Sequence, residues 1–322
     1  MEYVKRIFSI ELKPGMTNVK ELFVLQQKTY GSKKKDGSHY ANLVLSDAKG
    51  SIRGFMELND NGMINIENGQ LVCCTGNIGE FNSEVTMYVS HIEQVDLSVI
   101  DEKTLALLYP SVENLEQLKA ELRSLVESVE NTEMKLLLEY VLFEKLWDQF
   151  IKKPAAKSIH HARIGGLLEH SVHVAEMVSD LSRFYPDVNR DLALTGALLH
   201  DIGKVEEMSI PGGDYTDNGK LLGHVVHGSL MLAKFMDDLG LDESLKQALL
   251  HIVLSHHGEK EWGSPVKPKT LEALLVAMAD RTDAYLDHAQ KIYRETKAKG
   301  LKWSHYSEPL DAAIFVLDED SN

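Results

Sequence analysis

Only two cysteines occur in the 322 residues, and they are neighbours, Cys73 and Cys74. Adjacent residues do not readily close a normal disulfide, and a thiolate zinc site would want two more sulfurs, so the pair reads as strand residues. No apolar stretch approaches the ~20 residues of a membrane-spanning helix, and the opening MEYVKRIFSIEL has no continuous apolar segment of the secretory kind. A cytoplasmic protein with no membrane partner is the expectation. Basic charge is scarce too: 34 Lys and Arg stand against 49 Asp and Glu, a net charge of −15. That argues against a surface coated for nonspecific nucleic-acid binding, while a local basic groove stays open. From Met1 to Asp96 the balance is ten against twelve, so most of the excess acid lies farther along. Sustained heptads and internal repeats are absent as well.

What is present is enough for two domains and a substantial core: 43% hydrophobic and 26% charged residues, the proportions of a globular protein. From Val4 to Asp96 the segments LFVLQQKTY, HYANLVLSD, SIRGFMEL, LVCCTGNIGEF and VTMYVSHIEQV carry β-branched and aromatic residues between Gly, Asn, Asp and Lys clusters. Five short strands without room for a long helix point to a small barrel of the oligonucleotide-binding (OB) type, with DAKG (Asp47–Gly50) as a hairpin turn. Such a barrel grips a nucleic-acid strand with positive loops and stacking aromatics. The candidate contacts are Lys33, Lys34 and Lys35 in the first long loop, with Tyr30, Tyr40, Arg53, Phe55, Phe81 and Tyr88 nearby; about half of the aromatics are expected in the barrel core.

Beyond Leu97 the apolar period becomes helical, through VENLEQLKAELRSLVESVE and TEMKLLLEYVLFEKLWDQFI, until Pro154-Ala155-Ala156 breaks it. In the next half, potential ligands stand at the ends of apolar helical segments. DLALTGALLHDIGK sets His200 and Asp201 side by side where a buried helix is expected to end at Gly203. His170 follows the Gly165-Gly166 turn and is expected as a ligand ahead of His173. His224 precedes one helix, His256-His257 close another, and Asp280 lies in an apolar run, where a lone carboxylate is costly unless paired or metal-bound. A helical bundle can collect ligands from facing helices distant in sequence.

Imidazoles and carboxylates without thiolate suit Mn, Fe, Co, Ni or Zn, and do not suit Ca or Mg. His170, His200, Asp201 and Asp280 suffice for one ion; the surplus of His224, His256 and His257 suggests a second, with Asp201 bridging. Two ions about 4 Å apart can activate a water and hold both oxygens of an in-line displacement at phosphorus, so phosphoester hydrolysis is the expected chemistry. Lys204 either neutralises a phosphate or leaving oxygen or merely complements a helix dipole; spacing does not decide.

The order H…HD…D at His170, His200-Asp201 and Asp280 resembles the HD-domain metal-dependent phosphohydrolases, and Gly223-His224 with Ser255–Gly258 resembles their dinuclear members. No GYP motif accompanies it. IHHARIGGLLEHSVHVAEM, ALLHDIGKVEE, YTDNGKLLGHVVHG, LSHHGEKEWGSP and the ADRTDA run, behind an OB-like strand set with YANLVLSDAKG, are together similar to the YhaM family of bacterial 3′→5′ exoribonucleases. The resemblance implies a multi-domain chain: an all-β OB barrel over residues 1–97, a helical connector over 98–152, an all-α HD bundle over 153–312 and an acidic tail over 313–322. It also implies release of nucleoside monophosphates from single-stranded RNA, two Mn²⁺ ions as cofactor, and His160, His161 and Lys204 near the substrate end. Single-stranded DNA and further copies of the chain are secondary expectations as partners. The competing readings are an HD hydrolase of small nucleotides, its barrel used for assembly or regulation, and an RNA-binding adaptor with a vestigial metal site. The stretch Lys291–Trp303 is either extra positive surface or a solvated last helix.

Overall fold

Strands β1 (Val19–Ser32), β2 (His39–Asp47), β3 (Gly50–Glu57), β4 (Leu71–Phe81) and β5 (Glu84–Gln94) close into a barrel in the order β1-β2-β3-β5-β4. All pairings are antiparallel except β3 with β5. This is the OB order. The structure, a computed structural model, describes residues 3–33, 37–58, 62–82, 84–156, 161–208 and 215–317. They fall into two units, Met1–Glu113 with Met208–Tyr215 and Asn114–Glu207 with Thr216–Asn322.

The two-residue period of the strands fills the barrel. Ala41, Leu43 and Leu45 of β2 and Ile52 of β3 point inward with Phe23, Leu25, Val72, Cys74, Ile78, Met87 and Val89. Cys73 and Cys74 are buried free thiols on β4, and burial pushes Cys73 up to about 11. In the β2–β3 turn, Asp47 Oδ1 accepts from Lys49 N at 3.0 Å and Gly50 N at 3.2 Å, while Oδ2 pairs with the buried Lys5 Nζ at 3.0 Å. Helix α1 (Glu102–Leu108) lies in the same unit, where Leu107 O accepts from Ala48 N at 3.1 Å.

In the second unit α2 (Leu115–Glu127) precedes α3 (Thr132–Leu138), a wide π-turn stretch over Glu139–Lys145 and α4 (Trp147–Phe150). The sequence reads as one helix there. The structure instead closes Leu146 N onto Val141 O at 3.0 Å, a five-residue step that keeps Leu138, Val141, Leu142 and Phe150 all buried. Seven further helices follow among the described residues: α5 (Gly166–Ser182), α6 (Arg190–Leu199), α7 (Lys204–Glu207), α8 (Asp217–Leu221), α9 (Gly223–Leu239), α10 (Glu243–Ser255) and α11 (Leu271–Ala298). α5 packs on α6 and α11, and α10 on α6, α9 and α11. Side-chain caps at Asn189, Asp242 and Thr270 set the starts of α6, α10 and α11. Among the described residues, no helix is long and apolar enough to cross a membrane.

Candidate metal centre and aromatic groove

Helix α6 stops at Leu199, four residues before the expected Gly203, and the chain turns through His200–Gly203 before Lys204 begins α7. Lys204 therefore starts a helix, so it does not complement the dipole at a helix end. This early stop aims His200 and Asp201 into the middle of the bundle, where both are buried.

Around them the structure gathers the seven residues expected as ligands. His170 Nε2 lies 3.1 Å from His200 Nε2, 3.4 Å from Asp201 Oδ2 and 3.2 Å from Asp280 Oδ1. His200 Nε2 is 3.4 Å from Asp201 Oδ2. On the other side of the same carboxylate, Asp201 Oδ1 lies 3.4 Å from His224 Nε2 and 3.5 Å from His256 Nε2, and His224 Nε2 is 3.3 Å from His257 Nε2. Donors bound at ~2.1 Å to a tetrahedral ion are about 3.4 Å apart, so both spacings fit a cation. His256 Nε2 and Asp201 Oδ1 are buried without a hydrogen-bond partner among the described residues, as groups that suit a cation would be.

The far nitrogen of each imidazole is held. His170 Nδ1 meets Asp283 Oδ2 at 2.6 Å, His200 Nδ1 meets Ala197 O at 2.6 Å and His224 Nδ1 meets Glu207 Oε1 at 2.9 Å. His256 Nδ1 meets Val253 O at 2.7 Å and His257 Nδ1 meets Trp262 O at 2.8 Å. Since carbonyls and carboxylates only accept, Nδ1 carries a proton in all five, and Nε2 is the nitrogen that each ring turns inward.

Burial alone would raise Asp201, but Lys204 Nζ at 2.6 Å, with His200 and His170, holds it well below the usual carboxylate range. Burial likewise opposes ionisation of Asp280, which its histidines nevertheless keep low. His257 is pushed down to about 3 by burial and then by His256 and His224, so it stays neutral. Burial would also lower His170; Asp201, Asp280 and Asp283 outweigh it and raise His170 well above its ordinary value. Those three carboxylates create a demand for positive charge.

A second layer of side chains, which the sequence analysis does not single out, surrounds these residues. Asp283, one helical step from Asp280 in ADRTDA, accepts from His161 Nε2 at 2.7 Å and from His173 Nδ1 at 3.0 Å besides His170. Its i,i+3 spacing from Asp280 is the signal that marks it. His161 was expected at a substrate rim; it is 1% exposed, and its Nδ1 is 2.8 Å from Glu169. His160, Lys34 and Lys35 lie outside the described residues. His227 and His251 turn away, to Glu206 and to Lys269 N. Gly203 lies against the first turn of α9: a Cβ there would sit 2.1 Å from His224 O and 2.7 Å from Gly228 N.

In the barrel, Ser32, Lys33, Tyr40, Arg53, Phe55 and Tyr88 help to line a groove of about 750 Å³. Tyr40 and Phe55 lie 5.3 Å apart with their planes tilted by 31°, Phe55 meets Tyr88 edge-on at 6.1 Å, and Arg53 lies 4.9 Å over Phe81. Lys33 bonds Glu57 and lies 5.9 Å over Phe55. None of the five candidate aromatics is in the core, contrary to expectation, because the inward strand positions are aliphatic and Phe23 is the interior ring. Tyr30 stands apart, its hydroxyl bonded to the backbone of Ile64.

The HD domain profile matches residues 167–285. The 3′-5′ exoribonuclease YhaM of Listeria welshimeri is 30% identical over 280 residues, which is 86% of this chain and 88% of that protein. The 3′-5′ exoribonuclease YhaM of Oceanobacillus iheyensis is 28% identical over 267 residues, 82% and 84% of the two chains. Among solved structures, the second OB-fold domain of replication protein A from Methanococcus maripaludis covers 29% of this chain and 96% of its own, with 23% identity and a TM-score of 0.24.

Proposed function

Because this chain belongs to the YhaM family of 3′-5′ exoribonucleases, we propose that it is a divalent-metal-dependent hydrolase that shortens single-stranded RNA from the 3′ end and releases nucleoside monophosphates. The observation that carries the reading is Asp201, whose two oxygens face two separate sets of inward nitrogens. His170, His200, Asp201 and Asp280 would hold one cation; Asp201, His224, His256 and His257 would hold the other, with Mn²⁺ the favoured metal. Bound there, the pair supplies Lewis acidity toward the phosphodiester and a water of lowered pKa.

The protein's own part is to hold this arrangement before substrate arrives. Lys204 keeps Asp201 ionised and fixed, so its action on the reaction runs through that carboxylate. Glu207 holds His224 by both ring and backbone, at 2.9 and 3.1 Å. Buried surroundings exclude bulk water and strengthen each electrostatic contact. In the barrel, Tyr40, Phe55 and Tyr88 offer ring faces to bases, with Arg53 and Lys33 beside them for the backbone.

The test is a 5′-labelled single-stranded RNA incubated with the full chain and Mn²⁺, beside a panel of small nucleotides. A ladder shortening from the 3′ end with mononucleotide release is expected. Turnover of the small nucleotides alone would overturn the reading, and the same assay on single-stranded DNA defines how far the sugar matters.

A further inference from the structure

An exonuclease, as read above, must hold its strand beside the metal centre, and the open side of that centre is where the strand can enter. The centre is closed at His170, His200 and Asp201 and opens at His224 and His257, which are only partly buried. Beside that opening stands Trp262, whose carbonyl accepts the His257 Nδ1 proton and whose ring is half exposed. Arg281, the residue after Asp280 on α11, lays its guanidinium 4.4 Å over the Trp262 ring and 5.1 Å from the Tyr285 ring, which is also exposed. Among the described residues no carboxylate pairs with Arg281, in a chain whose acids outnumber its bases 49 to 34. An unpaired, solvent-facing guanidinium between two aromatic rings has the chemistry of a phosphodiester contact flanked by stacking surfaces.

We propose that Trp262, Arg281 and Tyr285 form a platform that receives a nucleotide next to the scissile phosphate, the guanidinium meeting the backbone and a ring meeting the base. Ring stacking tolerates any base, which suits an enzyme that must advance through every sequence. The platform is distinct from the barrel groove and belongs to the second unit.

The experiment compares three RNAs with the full chain and Mn²⁺: one intact, one with an abasic 3′-terminal residue and one with an abasic penultimate residue. For the unaltered protein, one abasic position is expected to lower kcat/KM by ~10-fold, chiefly through KM. Trp262→Ala should abolish that discrimination and Trp262→Phe should retain most of it; Arg281→Ala should raise KM on all three RNAs, with partial rescue by Arg281→Lys. Equal discrimination by Trp262→Ala and the unaltered protein overturns the platform while leaving the exonuclease reading intact. Should Trp262→Ala fail to fold, unchanged KM in Arg281→Ala and unchanged discrimination in Tyr285→Ala overturn it equally. A change in sedimentation of these variants with unaltered discrimination assigns the face to contact between copies, also against the proposal. If the unaltered protein shortens no RNA, both readings fall together.

Discussion

His170 and Asp283 meet at 2.6 Å across the α5–α11 contact, Nδ1 to Oδ2, and this single bond leaves Nε2 of His170 facing Asp201 and Asp280. Asp283 thus orients a candidate ligand without joining it. Asp283→Ala should weaken Mn²⁺ binding by about 10- to 100-fold, and Asp283→Asn by less, because an amide oxygen can still accept the proton. Metal titration followed by calorimetry checks this; equal affinity in both variants and the unaltered protein would remove Asp283 from the centre.

Asp201→Asn should bring hydrolysis of single-stranded RNA below detection, because an amide cannot offer two charged oxygens to two cations. Bound metal per chain should fall with it. RNA affinity measured in chelator should stay within about twofold, since stacking and phosphate contacts do not need the ions. Substantial turnover by this variant would end the shared-carboxylate reading. Asp201→Ala is the harsher change, leaving the buried Lys204 ammonium unpaired at a cost of about 3–5 kcal/mol.

In the barrel, Phe55→Ala should weaken binding of single-stranded RNA by ~10-fold, because Phe55 is the ring shared by Tyr40 and Tyr88. Replacing Lys33, Lys34 and Lys35 together should flatten the salt dependence, by ~0.7 in log–log slope for each phosphate that is no longer neutralised. Lys33 already pairs with Glu57, so its single substitution should change the slope by less than one full phosphate contact. Fluorescence anisotropy at several salt concentrations reads both effects, and an unchanged slope takes the loop off the strand's path.

Stability of the metal-free protein should depend on pH from both sides. Asp283 is buried and Glu169 and Asp287 are partly buried, which opposes ionisation, yet their His and Arg partners hold each below its ordinary value. Their contribution is full above the unfolded carboxylate range and is lost as pH falls through the depressed values. His173 runs the other way. Asp283 raises it, so its contribution is full below about 6.5 and is lost as pH rises through the raised value. Thermal melts in chelator should show a maximum between about pH 5 and 6.5, and Asp283→Asn should flatten both flanks.

The barrel was legible in the chain because alternating β-branched residues and Gly-Asn-Asp-Lys turns are local signals, and the observed strands fall on the five segments read as such. The outward direction of the aromatics follows from the same alternation: Arg53, Phe55 and Glu57 alternate with Ile52 and Gly54, and the buried parity is the aliphatic one. Candidate ligands could be singled out because His200-Asp201 and His256-His257 stand where apolar helices end. The outer layer was hidden. Whether a carboxylate such as Asp283 reaches three histidines depends on how α11 lies against α5, which no local pattern encodes. The place of His161 is hidden for a similar reason: beside a Gly-rich turn it looks like loop, yet its positive φ of 44° folds it under Asp283 and Asp287.

Gly203 and Gly228 touch where a side chain on either would collide, and His224 rides on that same turn of α9. The gap between the two halves of the centre is therefore gauged by bare backbone before any cation arrives. A methyl group at position 203 would act as a wedge, prising His224 off the common carboxylate while leaving His170, His200 and Asp280 where they are. On the two-cation proposal, Gly203→Ala should lower the Mn²⁺ bound per chain from two ions to one, as read by metal analysis, and the pairing of the ions would then depend on a side chain the chain does without.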